Sequence, residues 1–295
     1  MGLLILIGAF AICVIIGLPV AFALGVASIA AFIYEGLPLM IAFQRIISGI
    51  SIFSLMAIPF FIFAGELMFH GGIAIRVVRF ASSAVGAVRG GLGVVNVFSS
   101  MLFGGISGSA IADVSALGSI LIPVMKEKGY DDDYAVNVTV TSSIAGIIIP
   151  PSHNMIIYAV AAGGSLSISK LFLAGFVPGV LMCLCLATVS YIVAVKRGYD
   201  SEAFPGFAIL IKSFFTALPG LMTAIIIVGG VLSGIFTVTE SGAFGAIYAF
   251  LATIIVYRAL TWEKFKLAVV NSVRTTSMAV CLLYTSDAAD ECVNV

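Results

Sequence analysis

Phe103-Gly104-Gly105-Ile106-Ser107-Gly108-Ser109-Ala110-Ile111-Ala112-Asp113 lies between two apolar runs, one following Gly90-Gly91 and one ending at Pro123 and Lys126-Glu127-Lys128. Each run is short for a full crossing, because a bilayer core of about 30 Å takes about 20 helical residues. Two short helices meeting at a Gly/Ser tip form a re-entrant hairpin that enters and leaves on one side, here over residues 92–127. Unwound backbone at membrane depth survives only where protein or a water-filled cavity covers its polar groups. The tip is therefore a candidate site, with Ser107, Gly108 and Ser109 at its apex and Asp113 one turn into the second arm. A carboxylate inside a membrane segment is costly and points to function by default.

A second interruption follows. Residues 133–162 are long enough to cross, yet Ile149-Pro150-Pro151-Ser152 cuts them in two. Successive prolines remove backbone donors, and each disfavours helical geometry in the residue before it. This helix is expected to be broken, not merely kinked, which adds Gly146, Pro150 and Ser152 to the candidates.

The rest of the chain is membrane-like. Of 295 residues 61% are hydrophobic and 9% charged, with mean hydropathy +1.22, whereas soluble domains carry roughly a quarter charged residues. A water-soluble fold is excluded. Spans are expected at 2–17, 19–34, 45–68, 171–196, 208–233 and 241–257, with another beginning near residue 268. Gly17-Leu18-Pro19 divides the first apolar stretch into two short spans. That stretch lacks a basic n-region and a small-residue cleavage site, so it is expected to stay as membrane helix. Arg76, Arg79 and Arg89 recur at near-helical spacing around residues 73–88, which marks an amphipathic helix lying at the interface.

Charge placement sets the orientation. Arg76, Arg79 and Arg89 precede the hairpin, Lys126 and Lys128 follow it, and Lys196, Arg197, Lys212, Arg258, Lys264 and Lys266 occupy later loops. Threading the spans in order puts all of these on one face, cytoplasmic by the positive-inside rule; Arg45 and Lys170 are exceptions. The amino terminus then falls outside the cytoplasm. Net charge is zero and no basic run occurs, so nucleic acid is not an expected partner, whereas the lipid bilayer is. Cys13, Cys183, Cys185, Cys281 and Cys292 show no metal or redox spacing. No nucleophile stands beside a base, so the reading is not an enzyme. A channel would keep the hairpin but expects a pore-lining ring.

Gly17 to Gly25 resembles Gly234 to Gly242, each followed by an Ala-rich run. The threading gives these elements opposite directions across the bilayer, as an inverted repeat requires. Residues 1–200 are then a first repeat and 201–280 the start of a second.

Several ordered motifs carry a closer likeness: Ala57-Ile-Pro-Phe-Phe-Ile-Phe-Ala-Gly-Glu-Leu-Met68, Phe103 to Asp113 with Leu117-Gly-Ser-Ile-Leu-Ile-Pro123, Ile149-Pro-Pro-Ser152, and Gly234-Ile-Phe-Thr-Val-Thr-Glu240. In these the chain resembles the large membrane subunit of tripartite ATP-independent periplasmic (TRAP) transporters, from about Leu3 to about Val280. The resemblance implies an all-α polytopic, inverted-repeat elevator-type carrier for C4-dicarboxylates or related carboxylates. It further implies sodium as the coupling ion with no organic cofactor, a small membrane subunit and a periplasmic substrate-binding protein as partners, and the bacterial inner membrane as location. Other sodium- or proton-coupled anion carriers, a channel, or a non-functional fragment are the alternatives. The family commonly has Pro where Val238 stands and an apolar residue where His153 stands.

Sodium is a hard cation bound by carbonyl, hydroxyl and carboxylate oxygens. Broken helices supply these while half-helix amino termini face the anionic substrate. Ser107, Gly108, Ser109, Asp113, Gly146, Pro150 and Ser152 are the expected sodium and substrate residues, with Asp113 either binding the ion or only holding the tip. Glu240 is expected to cap a helix, and Glu66 to face water near the end of its span. Cys281-Leu-Leu-Tyr-Thr-Ser-Asp-Ala-Ala-Asp-Glu291 resembles a translated transposase adapter, so 281–295 is expected to be a non-native tail. Relatives continue through a second hairpin and a second broken helix, so the resemblance implies that half of the site lies outside this chain.

Overall fold

The computed structural model describes residues 2–41, 44, 47, 53–162, 166–201 and 203–293. Helices and short turns make up the structure, and no strand occurs among the described residues, as the all-α expectation requires. The chain divides into two compact units, Met1–Met56 with Val273–Val295, and Ala57–Ser272.

In the first unit α1 (Gly2–Ile15) and α2 (Val20–Tyr34) pack together through Leu6, Ala27, Ala31 and Phe32. The expected turn is present: Gly17 has φ +89°, a left-handed angle that glycine adopts without steric cost, and Pro19 precedes α2. At 14 and 15 residues each helix is about 21–23 Å long. They lie within the two short spans expected at 2–17 and 19–34. Of the expected span 45–68, residues 45, 46 and 48–52 lie outside the described residues.

The second unit begins with α3 (Ala57–His70), which turns by 70° into α4 (Ile73–Val85). Gly72 makes the corner with φ +74°. Ile73, Ala74, Val77, Val78 and Ala81 form one buried face of α4. A methyl group added at Gly220 would collide with Ile73, so this apolar face meets protein, whereas the sequence pattern alone suggested a helix resting on lipid headgroups. Arg79 points outward, and Arg76 donates to the Gly72 carbonyl at 2.9 Å and sits 4.1 Å above the Tyr257 ring.

The hairpin follows as α5 (Gly91–Ser107) and α6 (Ala110–Glu127), then the broken helix as α7 (Asp132–Ser142), α8 (Ala145–Ile148) and α9 (His153–Ala161), bent by 53°. Among the described residues three helices are long and apolar enough to cross a membrane: α10 (Ile168–Lys196), α11 (Phe207–Leu232), and α12 (Val238–Leu251) with its π-helical continuation to Val256. Up to five spans result if each bent pair counts as one. The last helix, α13 (Trp262–Val293), starts earlier than the expected position near 268 and runs on through residue 293.

The core of this unit is built around the hairpin. Val95, Phe103 and Ile106 of α5 and Leu117 and Leu121 of α6 pack with Leu67 and Met68 of α3, Val77 of α4 and Ala246 and Ala249 of α12. Unwound backbone at the tip is thereby held inside protein. At the other end Arg197 pairs with Asp131 at 2.8 Å and Asp133 at 2.9 Å, Lys126 pairs with Asp132 at 2.9 Å, and the Gly90 N–H donates to the Asp200 carbonyl at 3.3 Å. Connections carrying Arg89, Lys126 and Arg197 thus gather at one end of the unit. Such exposed pairs are worth little individually. Their use here is as a marker of sidedness.

Candidate functional site

The tip is two residues long. Helix α5 ends at Ser107, and Gly108 takes φ +63° with its N–H donating to the Gly104 carbonyl at 2.9 Å. Ser109 is extended and caps α6, its hydroxyl accepting from the Ala112 N–H at 3.4 Å. Ser107 Oγ lies 3.4 Å from both the backbone N and O of Ser109.

Glycines let three backbones meet at this point. A methyl group on Gly108 would lie 2.7 Å from the Pro151 carbonyl oxygen and 3.3 Å from Ser152 Cα, and one on Gly104 would lie 2.8 Å from Gly146 N and Cα. Gly146 in turn faces the Ser109 carbonyl, and Gly65 of α3 faces the Ser107 carbonyl from behind. The structure therefore brings together Ser107, Gly108, Ser109, Gly146, Pro150 and Ser152. Residues from two separate interruptions of the sequence form one locus.

Several polar groups here have no protein partner. Ser152 is fully buried in extended conformation at the start of α9, yet its hydroxyl neither caps that helix nor bonds elsewhere. Asp113 is also fully buried, and neither carboxylate oxygen has a partner at bonding distance, Ser100 being its polar neighbour. A carboxylate buried in its charged form without a partner is expensive. Asp113 differs from the other candidates in turning towards Ser100 on the first arm. The donor chemistry of the tip and the break fits a hard cation, since they offer hydroxyls and carbonyls. Among the described residues no cluster of three or more His, Cys, Asp or Glu could hold a metal.

Sequence reasoning missed a polar seam between the first hairpin arm and α7. Asn96 donates to Thr139 Oγ1 at 2.6 Å, Ser142 Oγ lies 3.4 Å from Asn96 Oδ1, and Ser100 and Ser142 hydroxyls are 2.9 Å apart. All four are buried. The signal was available: Asn96 and Ser100 share a helical face four residues apart, as Thr139 and Ser142 do three apart.

Glu240 and Glu66 are explained locally. Glu240 accepts from the Thr237 N–H at 2.8 Å while Thr237 Oγ1 accepts from the Glu240 N–H at 3.3 Å, a complete capping box. Glu66 does not simply face water: Asn271 donates to it at 3.2 Å and His70 Nε2 stands 3.3 Å away.

Residues 7–294 match the family described as "Tripartite ATP-independent periplasmic transporter, DctM component", so the match runs past Val280. The chain is 39% identical over 268 residues to the sialic acid TRAP transporter large permease protein SiaM of Vibrio cholerae, covering 90% of this chain and 62% of that protein. It is 37% identical over 284 residues to the protein YgiK of Salmonella typhimurium, covering 95% and 65%. It is 36% identical over 297 residues to the C4-dicarboxylate TRAP transporter large permease protein DctM of Rhodobacter capsulatus, covering 96% and 67%. The chain thus spans about two-thirds of the length of these relatives. It belongs to the DctM-component family of tripartite ATP-independent periplasmic transporters and is an inner-membrane protein.

Proposed function

We propose that this chain is part of the membrane subunit of a secondary carrier that imports small organic anions, C4-dicarboxylates or related carboxylates, coupled to sodium. The observation that carries the reading is the seating of the hairpin tip on the broken helix, with the unpartnered Ser152 hydroxyl buried beside it. Sodium is held by hydroxyl and carbonyl oxygens of Ser107, Gly108, Ser109, Gly146, Pro150 and Ser152, with the Asp113 carboxylate supplying charge. The amino termini of α6 and α9 face the anion, because unpaired N–H groups and the helix dipole favour negative charge there. A periplasmic binding protein delivers the substrate and a small membrane subunit completes the assembly. Inverted repeats and elevator-like movement of the hairpin with α7–α9 belong to the same proposal. The recurrence of a positive-φ glycine shortly before α2 and before α12, Gly17 and Gly234, supports the repeat.

The test is transport in proteoliposomes by the complete transporter carrying this sequence, with its partner subunits. Saturable, sodium-gradient-driven accumulation of succinate, malate or N-acetylneuraminate that requires the binding protein is the expected result. Accumulation that ignores the sodium gradient would refute coupling. Ohmic current far above carrier turnover would replace the carrier with a channel.

A further inference from the structure

Helix α9 begins with a histidine. His153 is 8% exposed, and its Nδ1 has no hydrogen-bond partner. The Ser152 hydroxyl beside it is likewise unpartnered, and no side chain caps α9. Both residues stand at the start of a nine-residue helix whose first N–H groups have no intrahelical partner. The hairpin tip comes over the same point, since a methyl on Gly108 would lie 3.5 Å from the His153 backbone N. A buried ring nitrogen left unpaired costs free energy that an apolar residue would avoid. No metal-binding cluster among the described residues accounts for it.

Resting on the reading of this locus as the anion site, we propose that His153 is a specificity-determining residue, whose Nδ1–H donates to a carboxylate oxygen of the transported anion. The neutral imidazole donates through Nδ1, the Ser152 hydroxyl supplies a second donor, and the first N–H groups of α9 supply the rest. One carboxylate has enough lone pairs to accept all of them. A site built this way favours an anion with an oxygen at this point and rejects an analogue lacking it.

The imidazole nitrogens can be separated by substitution. In His153→Asn the amide nitrogen occupies nearly the place of Nδ1, whereas His153→Gln reaches towards the place of Nε2 and His153→Leu donates nowhere. Uptake is measured in proteoliposomes with whichever of succinate, malate and N-acetylneuraminate the wild type accumulates. In parallel, the rise in melting temperature caused by that anion is read on the detergent-solubilised complex. KM should rise roughly tenfold or more in His153→Leu and His153→Gln with kcat within about twofold, while His153→Asn stays within about threefold of wild type. The thermal response should follow the same order. Equal KM and equal thermal response for all three variants and wild type would overturn the proposal. So would a fall in kcat with unchanged KM, or poor accumulation of all three variants without ligand rescue, either of which would make His153 a packing residue. Failure of Ser109→Leu to affect uptake would instead overturn the underlying site.

Discussion

Gly108 and Asp113 make different demands on the same hairpin. Gly108 combines φ +63° with backbone contact to Pro151. An alanine there costs about 1–2 kcal/mol for the left-handed backbone, and its methyl must also displace the Pro151 carbonyl. Gly108→Ala should therefore lower the melting temperature of the detergent-solubilised transporter and abolish uptake, and a variant with wild-type values for both would show that the tip does not seat on the break. Asp113 is a buried carboxyl group without a partner, and an amide in its place avoids the cost of burying a charge. Asp113→Asn should melt at or above the wild-type temperature in sodium-free buffer while losing the sodium-induced rise. Retention of that rise would leave Asp113 with the purely structural role of holding the tip.

Among the elements, the hairpin and the broken helix were legible because their breaks are written in residues with strong backbone preferences. Gly108-Ser109 ends one helix and caps the next, while Gly104 and Gly105 stay helical in α5, and Pro150-Pro151 cannot continue any helix without loss of bonds. The burial of α4 was not legible, because an amphipathic stripe has the same periodicity whether lipid or protein covers it. What covers it is Gly220 and its neighbours on α11, far away in sequence. Helix α13 was read as starting late because Trp262-Glu263-Lys264-Phe265-Lys266 is not an apolar run, yet the Thr261 carbonyl and hydroxyl both receive N–H groups of its first turn. The Asn96 seam was overlooked because each of its residues is unremarkable alone and only the fold aligns them. Asn96→Leu leaves the Thr139 and Ser142 hydroxyls with fewer partners, at a cost of about 1–3 kcal/mol for a buried group left unsatisfied. A lower melting temperature with membrane insertion intact is the expected outcome, and unchanged stability would show that the seam does not join the hairpin arm to α7.

At the scale of the whole molecule, sidedness and site are separable claims. The meeting of the Arg89, Lys126 and Arg197 connections at one end of the second unit predicts that single cysteines placed at Arg89 and Lys196, in a background lacking the native thiols, react with impermeant reagents only from the cytoplasmic side. Labelling from opposite faces would break the threading. The central claim is that the tip and the break together hold the ion and the anion, and Ser109 is the residue where both meet, as cap of α6 and neighbour of Gly146. The most direct measurement is sodium-driven uptake by the complete transporter carrying Ser109→Leu, with membrane abundance measured alongside. Normal abundance with uptake lost is the predicted result; sodium-dependent uptake at the wild-type rate would contradict the account.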